Sequence, residues 1–167
     1  VPSGLHRNRK ACFSVSEGRD KLMAALHSGA GLEKLRQMIV AQGGDPACCD
    51  DVTRLPQAKI IRDVPAVEGG YIQCMDTIRL GNTAQAMGAG RKQKTDPIDY
   101  SVGFVMHKRI GDELRPGEAV ATVHASSEES AARAASEILA CLTLSPTPVP
   151  RCKLIHAFVD SDHVERL

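Results

Sequence analysis

Apolar and polar positions alternate along this chain with two different periods, and the change between them divides the sequence. Leu22, Met23 and Leu26 fall on one face of a helical spacing that opens at Ser14. Glu17 stands three residues after Ser14, the capping-box distance at which hydroxyl and carboxylate satisfy free backbone donors reciprocally. Gly29 ends this helix. Leu32, Leu35 and Ile39 then recur at i, i+3 and i+7, with Glu33, Lys34, Arg36 and Gln37 on the wet side, until Gly43 and Gly44 stop the pattern. Two short helices joined by Gly29-Ala30-Gly31 predict an αα-hairpin with an apolar face that needs something else to pack against. The stretch from Asp45 to Pro56 holds Asp-Pro, paired Cys, paired Asp and Leu-Pro, and reads as loop.

Beyond Pro56 the period shortens. Lys59 to Val64 reads as a strand stopped by Pro65, which has no N–H for a ladder. Tyr71 to Met75 reads as another strand, introduced by Gly69-Gly70, and Thr77 to Met87 as a short helix. A glycine-rich, basic loop runs from Gly88 to Asp96. Val102 to Met106 and Ala119 to His124 are strands, and Gly111-Asp112 and Pro116-Gly117 mark two tight turns between them. A last helix is expected to open at Ser126, with Glu129 completing a second capping box, and to bury Ala131, Ala135, Ile138 and Leu142. Three prolines make Thr143 to Pro150 a chain break, after which Cys152 to Phe158 is expected to return as an edge strand. Helices and strands are interspersed without a βαβ rhythm or internal repeats, so the class is α+β.

Composition adds constraints to this outline. A length of 167 residues suffices for one real core. Aromatics are scarce, with three Phe, two Tyr and no Trp, so the core must be aliphatic and no stacking platform for single-stranded nucleic acid exists. A formal net charge of +1 gives no global field for a polyanion, so any anion site must be local and nucleic acid is not an expected partner. Apolar runs are short, such as Ile138 to Leu142, so no membrane partner is expected. The start, Val1 to Phe13, is basic and lacks the apolar region of a secretory signal. A chain opening on Val rather than Met is expected to be truncated or processed. None of the six cysteines forms a Cys-x-x-Cys pair, and no two His have zinc-ligand spacing on a helix, so no metal site is expected. The cysteines read as reduced thiols of a cytoplasmic protein, with adjacent Cys48 and Cys49 able to bridge each other only under strain.

Four groupings come into question for chemistry. Gly88-Ala89-Gly90-Arg91-Lys92-Gln93-Lys94 combines glycines that let backbone approach a ligand with three cations that can neutralise a phosphate. It is neither a P-loop nor a dinucleotide fingerprint, and the bland alternative is a solvated loop balanced by Asp96 and Asp99. The hairpin from Ile110 to His124 resembles biotinyl and lipoyl carrier domains, but no lysine follows in the strand where attachment requires one, and Lys108 lies before the turn. His107 and His124 flank that hairpin without an evident carboxylate orienter, and Asp160, Asp162 and His163 resemble a metal cluster only in composition.

The succession of segments is more telling than any one motif. Gly43-Gly44-Asp45-Pro46, Leu55-Pro56-Gln57-Ala58-Lys59, Gly70-Tyr71-Ile72 with Asp76 and Leu80-Gly81, Ala86-Met87-Gly88-Ala89-Gly90-Arg91, Thr95-Asp96-Pro97-Ile98-Asp99-Tyr100-Ser101-Val102-Gly103-Phe104, Gly111-Asp112 and Ala121-Thr122-Val123-His124-Ala125 follow in order. From about Ser14 to Pro146 this resembles the C-terminal portion of the thymidine and pyrimidine-nucleoside phosphorylase family. The resemblance implies a barrel-sandwich or α/β-hammerhead domain at residues 57–150, preceded at 14–56 by a helical hairpin and loop from a larger α/β domain. Residues 1–13 and the tail 151–167 remain unmatched. It implies phosphorolysis of thymidine to thymine and 2-deoxyribose 1-phosphate by a pentosyltransferase without cofactor, with thymidine and phosphate as partners and a homodimer at full length. The family's Lys-His-Ser-Thr-Gly-Gly phosphate loop and Ser-Gly-Arg-Gly-Leu signature are absent from these residues, so no catalytic residue carries over and the chain alone is expected to be inactive. The segment containing Gly88, Gly90, Arg91, Lys92 and Lys94 is implied to lie at the interdomain cleft and to close over it. A stand-alone binding or regulatory module, or a carrier domain, are the alternative readings.

Overall fold

The computed structural model describes residues 14–159 and 163–166. The segment Val1 to Phe13, Cys12 within it, and the acidic positions Asp160 and Asp162 lie outside the described residues. The chain divides into two compact units, one formed by the described residues up to Leu55 with those from Ile155 onward, the other running Pro56–Leu154.

The first unit contains α1 (Val15–His27) and α2 (Ala30–Ala41). Ser14 caps α1, its Oγ accepting from the Glu17 N–H at 3.1 Å, and the Glu17 carboxylate pairs with Lys21 one turn on. The predicted hairpin therefore forms, but its apolar positions do not become a core. Leu26 is 70% exposed and Val40 56%, Met38, Leu32 and Leu35 are also exposed, and α2 contains no buried residue. The expected loop at 45–56 is more ordered than its composition indicated. Asp45 caps a 3₁₀ turn at Pro46–Cys49 and Asp51 caps another at Val52–Arg54, each carboxylate accepting from the N–H two residues on at 3.0 Å. Arg36 grips Asp50 through both guanidinium nitrogens at 2.8 and 2.7 Å, and Arg54 pairs with Asp45 at 2.8 Å. The tail strand expected from Cys152 to Phe158 is reduced to β7 (Ala157–Val159). Among the described residues it pairs with β8 (Val164–Arg166) alone, the prolines and exposed residues before it having ended the main sheets.

The second unit is an α+β domain built on two three-stranded antiparallel sheets. One has the order β1 (Ile60–Pro65), β5 (Ala119–Ala125), β3 (Gly103–Met106); the other has β4 (Glu113–Leu114), β2 (Gly70–Met75), β6 (Leu142–Ser145). Pro65 ends β1 at a register shift against Ala119, the position where a missing N–H costs least. Between β2 and β3 lie α3 (Thr77–Ala84), capped by Asp76, and a one-turn π-helical segment Gln85–Ala89. Strand β6 was hidden by the prolines. Leu142 to Ser145 pairs with β2 immediately before Pro146, so the break begins three residues later than composition implied.

Helix α4 (Glu128–Ala140) corrects the second capping box. Ser127, not Ser126, is the cap, its Oγ accepting from the Ser130 N–H at 3.2 Å. Strand β5 holds its ladder as far as Ala125 opposite Ile60, which leaves Ser127 as the first residue free to turn into the helix with an extended backbone. The buried stripe is accordingly Ser130, Ala131, Ala134 and Ile138, with Leu142 moved into β6. Ile72, Leu114, Ile138, Val64, Val120 and Val123 are fully buried in one cluster joining both sheets and α4. Each such side chain contributes on the order of 1.5–3 kcal/mol on leaving water. The buried cluster contains no aromatic side chain, and Phe104 packs against it partly buried.

Candidate functional site

The basic loop leaves the end of α3 through Gly88, whose φ of 110° turns the chain out of the π-helical segment. Gly90 is extended and passes close to the Gln85 side chain, where a Cβ would meet Gln85 Cγ at 3.2 Å. Two polar side chains and one main-chain bond fasten the backbone of the loop. Gln85 Nε2 donates to the Arg91 carbonyl at 2.5 Å, and Asp96 Oδ2 accepts from the N–H groups of Lys92 and Gln93 at 3.1 and 2.8 Å. Asp99 N–H donates to the Gly88 carbonyl at 3.0 Å. The Asp99 carboxylate accepts from the Ser101 hydroxyl at 2.6 Å and its N–H at 2.9 Å. These bonds, the hydroxyl first, hold its pKa below the ordinary carboxylate range.

The cations take no part in these fastenings. Arg91, Lys92 and Lys94 are all exposed, and none of their side chains makes a hydrogen bond or ion pair among the described residues. A loop with a pinned backbone and unpaired cations is suited to meeting an anion supplied from outside. Asp96 and Asp99, balancing charges in the solvated-loop alternative, use their carboxylates to cap turns. The signal was legible, since Asp-Pro at 96–97 and the Asp-x-Ser spacing at 99–101 favour side-chain-to-backbone turns. Gln85 gave no such signal.

The other groupings resolve differently. Lys108 of the carrier-like hairpin is only 20% exposed, ion-paired with Glu118 and bonded to the Glu113 carbonyl at 3.2 Å, so it is not a free attachment point. His107 and His124 are not brought together. His107 Nε2 lies 2.7 Å from Thr122 Oγ1, and that hydroxyl donates to Asp63 Oδ1 at 2.5 Å. Because the hydroxyl proton is committed to Asp63, the imidazole donates to it through Nε2, and the group is a strand-bridging network rather than a base-activated nucleophile. His124 lies between Ile61 and Gly103 in the ladder. A depression of about 270 Å³, lined by Glu68 and by aliphatic side chains that include Val67, Leu114, Val120 and Leu144, does not include the basic loop. Among the described residues, no group of three or more His, Cys, Asp or Glu could hold a metal, and no helix is long and apolar enough to cross a membrane.

Comparison with known proteins supplies the context this site lacks. A model of the pyrimidine nucleoside phosphorylase C-terminal domain matches residues 71–145, which run from β2 through the basic loop and the hairpin to the end of β6. The pyrimidine-nucleoside phosphorylase of Geobacillus stearothermophilus is 35% identical over 143 residues, covering 86% of this chain and 33% of that protein. Those of Bacillus subtilis and Staphylococcus aureus are 38% identical over 119 and 116 residues, covering 71% and 70% of this chain and 28% and 27% of theirs. The chain thus spans about a third, or somewhat less, of the length of the curated relatives it matches. Residues 71–145, with the aligned stretch beyond them, correspond to the C-terminal portion of the pyrimidine-nucleoside phosphorylase family.

Proposed function

We propose that this chain is the C-terminal part of a thymidine phosphorylase and that it contributes closure rather than chemistry. In the reaction, a phosphate oxygen bonds to C1 of the deoxyribose as the bond from C1 to the thymine nitrogen breaks. The departing base takes a proton, leaving thymine and 2-deoxyribose 1-phosphate. Such a displacement needs an anionic nucleophile held against an electron-poor carbon and water kept away. None of the 167 residues forms the phosphate-loop sequence expected for that grip, so the chain by itself does not turn over substrate.

What the chain supplies is a cation-bearing flap. The observation that carries this reading is the loop in which the Gln85 and Asp96 side chains and the Asp99 N–H fix the backbone while the side chains of Arg91, Lys92 and Lys94 have no partner among the described residues. In an enzyme-length chain the flap, with Gly88 and Gly90 as its turning points, seals the cleft over nucleoside and phosphate. The two sheets sharing one aliphatic core support a barrel-sandwich description of 57–150, and the exposed apolar face of α1 and α2 supports assigning 14–56 to a larger domain that covers it. The full-length protein is a cytoplasmic, cofactor-independent homodimer on this reading. Purified chain mixed with thymidine and phosphate and followed by ultraviolet absorbance is expected to release no thymine above the blank. Phosphate-dependent release that scales with chain concentration would overturn the proposal.

A further inference from the structure

We propose that Cys48 and Cys49 form a two-thiol chelating site for a soft, thiophilic centre, of the class of trivalent organoarsenicals. The two residues are consecutive on the 3₁₀ turn Pro46–Cys49, and both thiols are free and half-buried, held in place yet reachable. The turn is fastened at both ends. Asp45 caps it and is itself clamped by Arg54, while Arg36 binds Asp50 through two nitrogens and donates to the Pro46 carbonyl at 3.3 Å. A turn tied down in this way presents its side chains with little left to order on binding, which is how preorganisation adds affinity.

The geometry disfavours the obvious alternative, an internal disulfide. Consecutive Cα atoms stand about 3.8 Å apart across a trans peptide, short of the roughly 4.4–6.8 Å that a disulfide spans. A single bridging atom removes that restriction, because each sulfur bonds to the bridge and not to its neighbour. Thiolates select soft centres over hard ones. Burial, and then the neighbouring Cys48 thiol, push the Cys49 thiol up, against the opposing pull of the Arg36 guanidinium. Cys49 is therefore held as a thiol that surrenders its proton on binding.

The step balances without an oxidant. A monosubstituted arsenic(III) oxide exchanges its arsenic–oxygen bonds for two arsenic–sulfur bonds, and the oxygen leaves as water with the two thiol protons. Arsenic stays trivalent and both sulfurs stay at the thiolate level. Exposed Cys74 and Cys152 and buried Cys141 are not adjacent to another cysteine in sequence.

The test treats the folded 167-residue chain with phenylarsine oxide in excess glutathione and reads intact mass. One phenylarsenic group per chain is expected, retained against the monothiol and removed by 2,3-dimercaptopropanol. Cys48→Ser and Cys49→Ser should each lower retention on the order of 10²-fold, the loss expected when a two-point attachment becomes one-point. Cys12→Ser, Cys74→Ser and Cys152→Ser should retain it, with circular dichroism checking that every variant is folded. No glutathione-resistant adduct on the parent, or an undiminished adduct on folded Cys48→Ser or Cys49→Ser, would overturn the assignment.

Discussion

Two glycines in one hairpin offer a matched test of how the second unit is packed. Gly111 and Gly117 have nearly the same backbone, φ 89° and 82°, and each N–H donates to a carbonyl across the fold at 2.8 Å, Gly111 to Ile72 and Gly117 to Ala66. Their surroundings differ. A Cβ on Gly117 meets nothing within 4 Å, whereas one on Gly111 falls 2.7 Å from Arg151 Cγ and 3.0 Å from Arg151 Cα and N. The Arg151 side chain could swing away at the cost of its 2.7 Å contact with Asp112, but its backbone could not. Alanine at either site incurs about 1–2 kcal/mol of left-handed strain, offset by about 0.4–1 kcal/mol from the stiffer unfolded chain. Only Gly111→Ala adds overpacking, about 1–3 kcal/mol. Gly117→Ala should therefore cost about 1 kcal/mol, and Gly111→Ala about 2–4 kcal/mol. Urea unfolding followed by circular dichroism measures both. Adding Arg151→Ala to Gly111→Ala should recover only part of the deficit, because the backbone contacts remain. Equal losses for the two glycines would refute the close approach of residues 150–152 to the hairpin turn.

Ser127→Ala should cost about 1 kcal/mol of stability and Ser126→Ala close to nothing, since only Ser127 caps α4; equal melting temperatures for the two variants would contradict that cap. The Glu118 carboxyl is held below its ordinary value, by Lys108 first and then by the Arg115 N–H. A carboxylate depressed in the folded state stabilises above its unfolded pKa, and that contribution fades as pH falls through the folded value. Glu118→Gln should thus flatten the acid limb of stability against pH, and an unchanged limb would argue against the ion pair. The exposed face of α1 and α2 should drive self-association, so sedimentation velocity should show mass rising with concentration and Leu26→Lys lowering it. A concentration-independent monomer would contradict this.

The sequence exposed the parts of the fold that local chemistry decides. Ser14 announced its helix, Pro65 marked the end of β1, and Gly111 and Gly117 marked the turns around β4. What it concealed depended on partners distant along the chain. Strand β6 forms because Leu142 to Ser145 meets β2 about seventy residues earlier, and no local feature outweighs three nearby prolines. The choice of Ser127 over Ser126 was settled by how far β5 stays paired with β1, which two identical serines cannot reveal. For the basic loop the cations and the aspartates were both legible, but not what each aspartate bonds. Asp96 and Asp99 bond backbone N–H groups, and Arg91, Lys92 and Lys94 have no partner among the described residues, a division of labour fixed by turn geometry rather than charge count.

Transplantation tests the account most directly. Residues 71–145 of this chain, the stretch matching the C-terminal domain, would replace the corresponding stretch of the Bacillus subtilis pyrimidine-nucleoside phosphorylase. Thymine release from thymidine would then be measured with and without phosphate. The account predicts a folded chimera with phosphate-dependent turnover, and a lower kcat when Arg91 in the graft is replaced by Ala. A folded chimera that is inert, or one indifferent to Arg91→Ala, would contradict it.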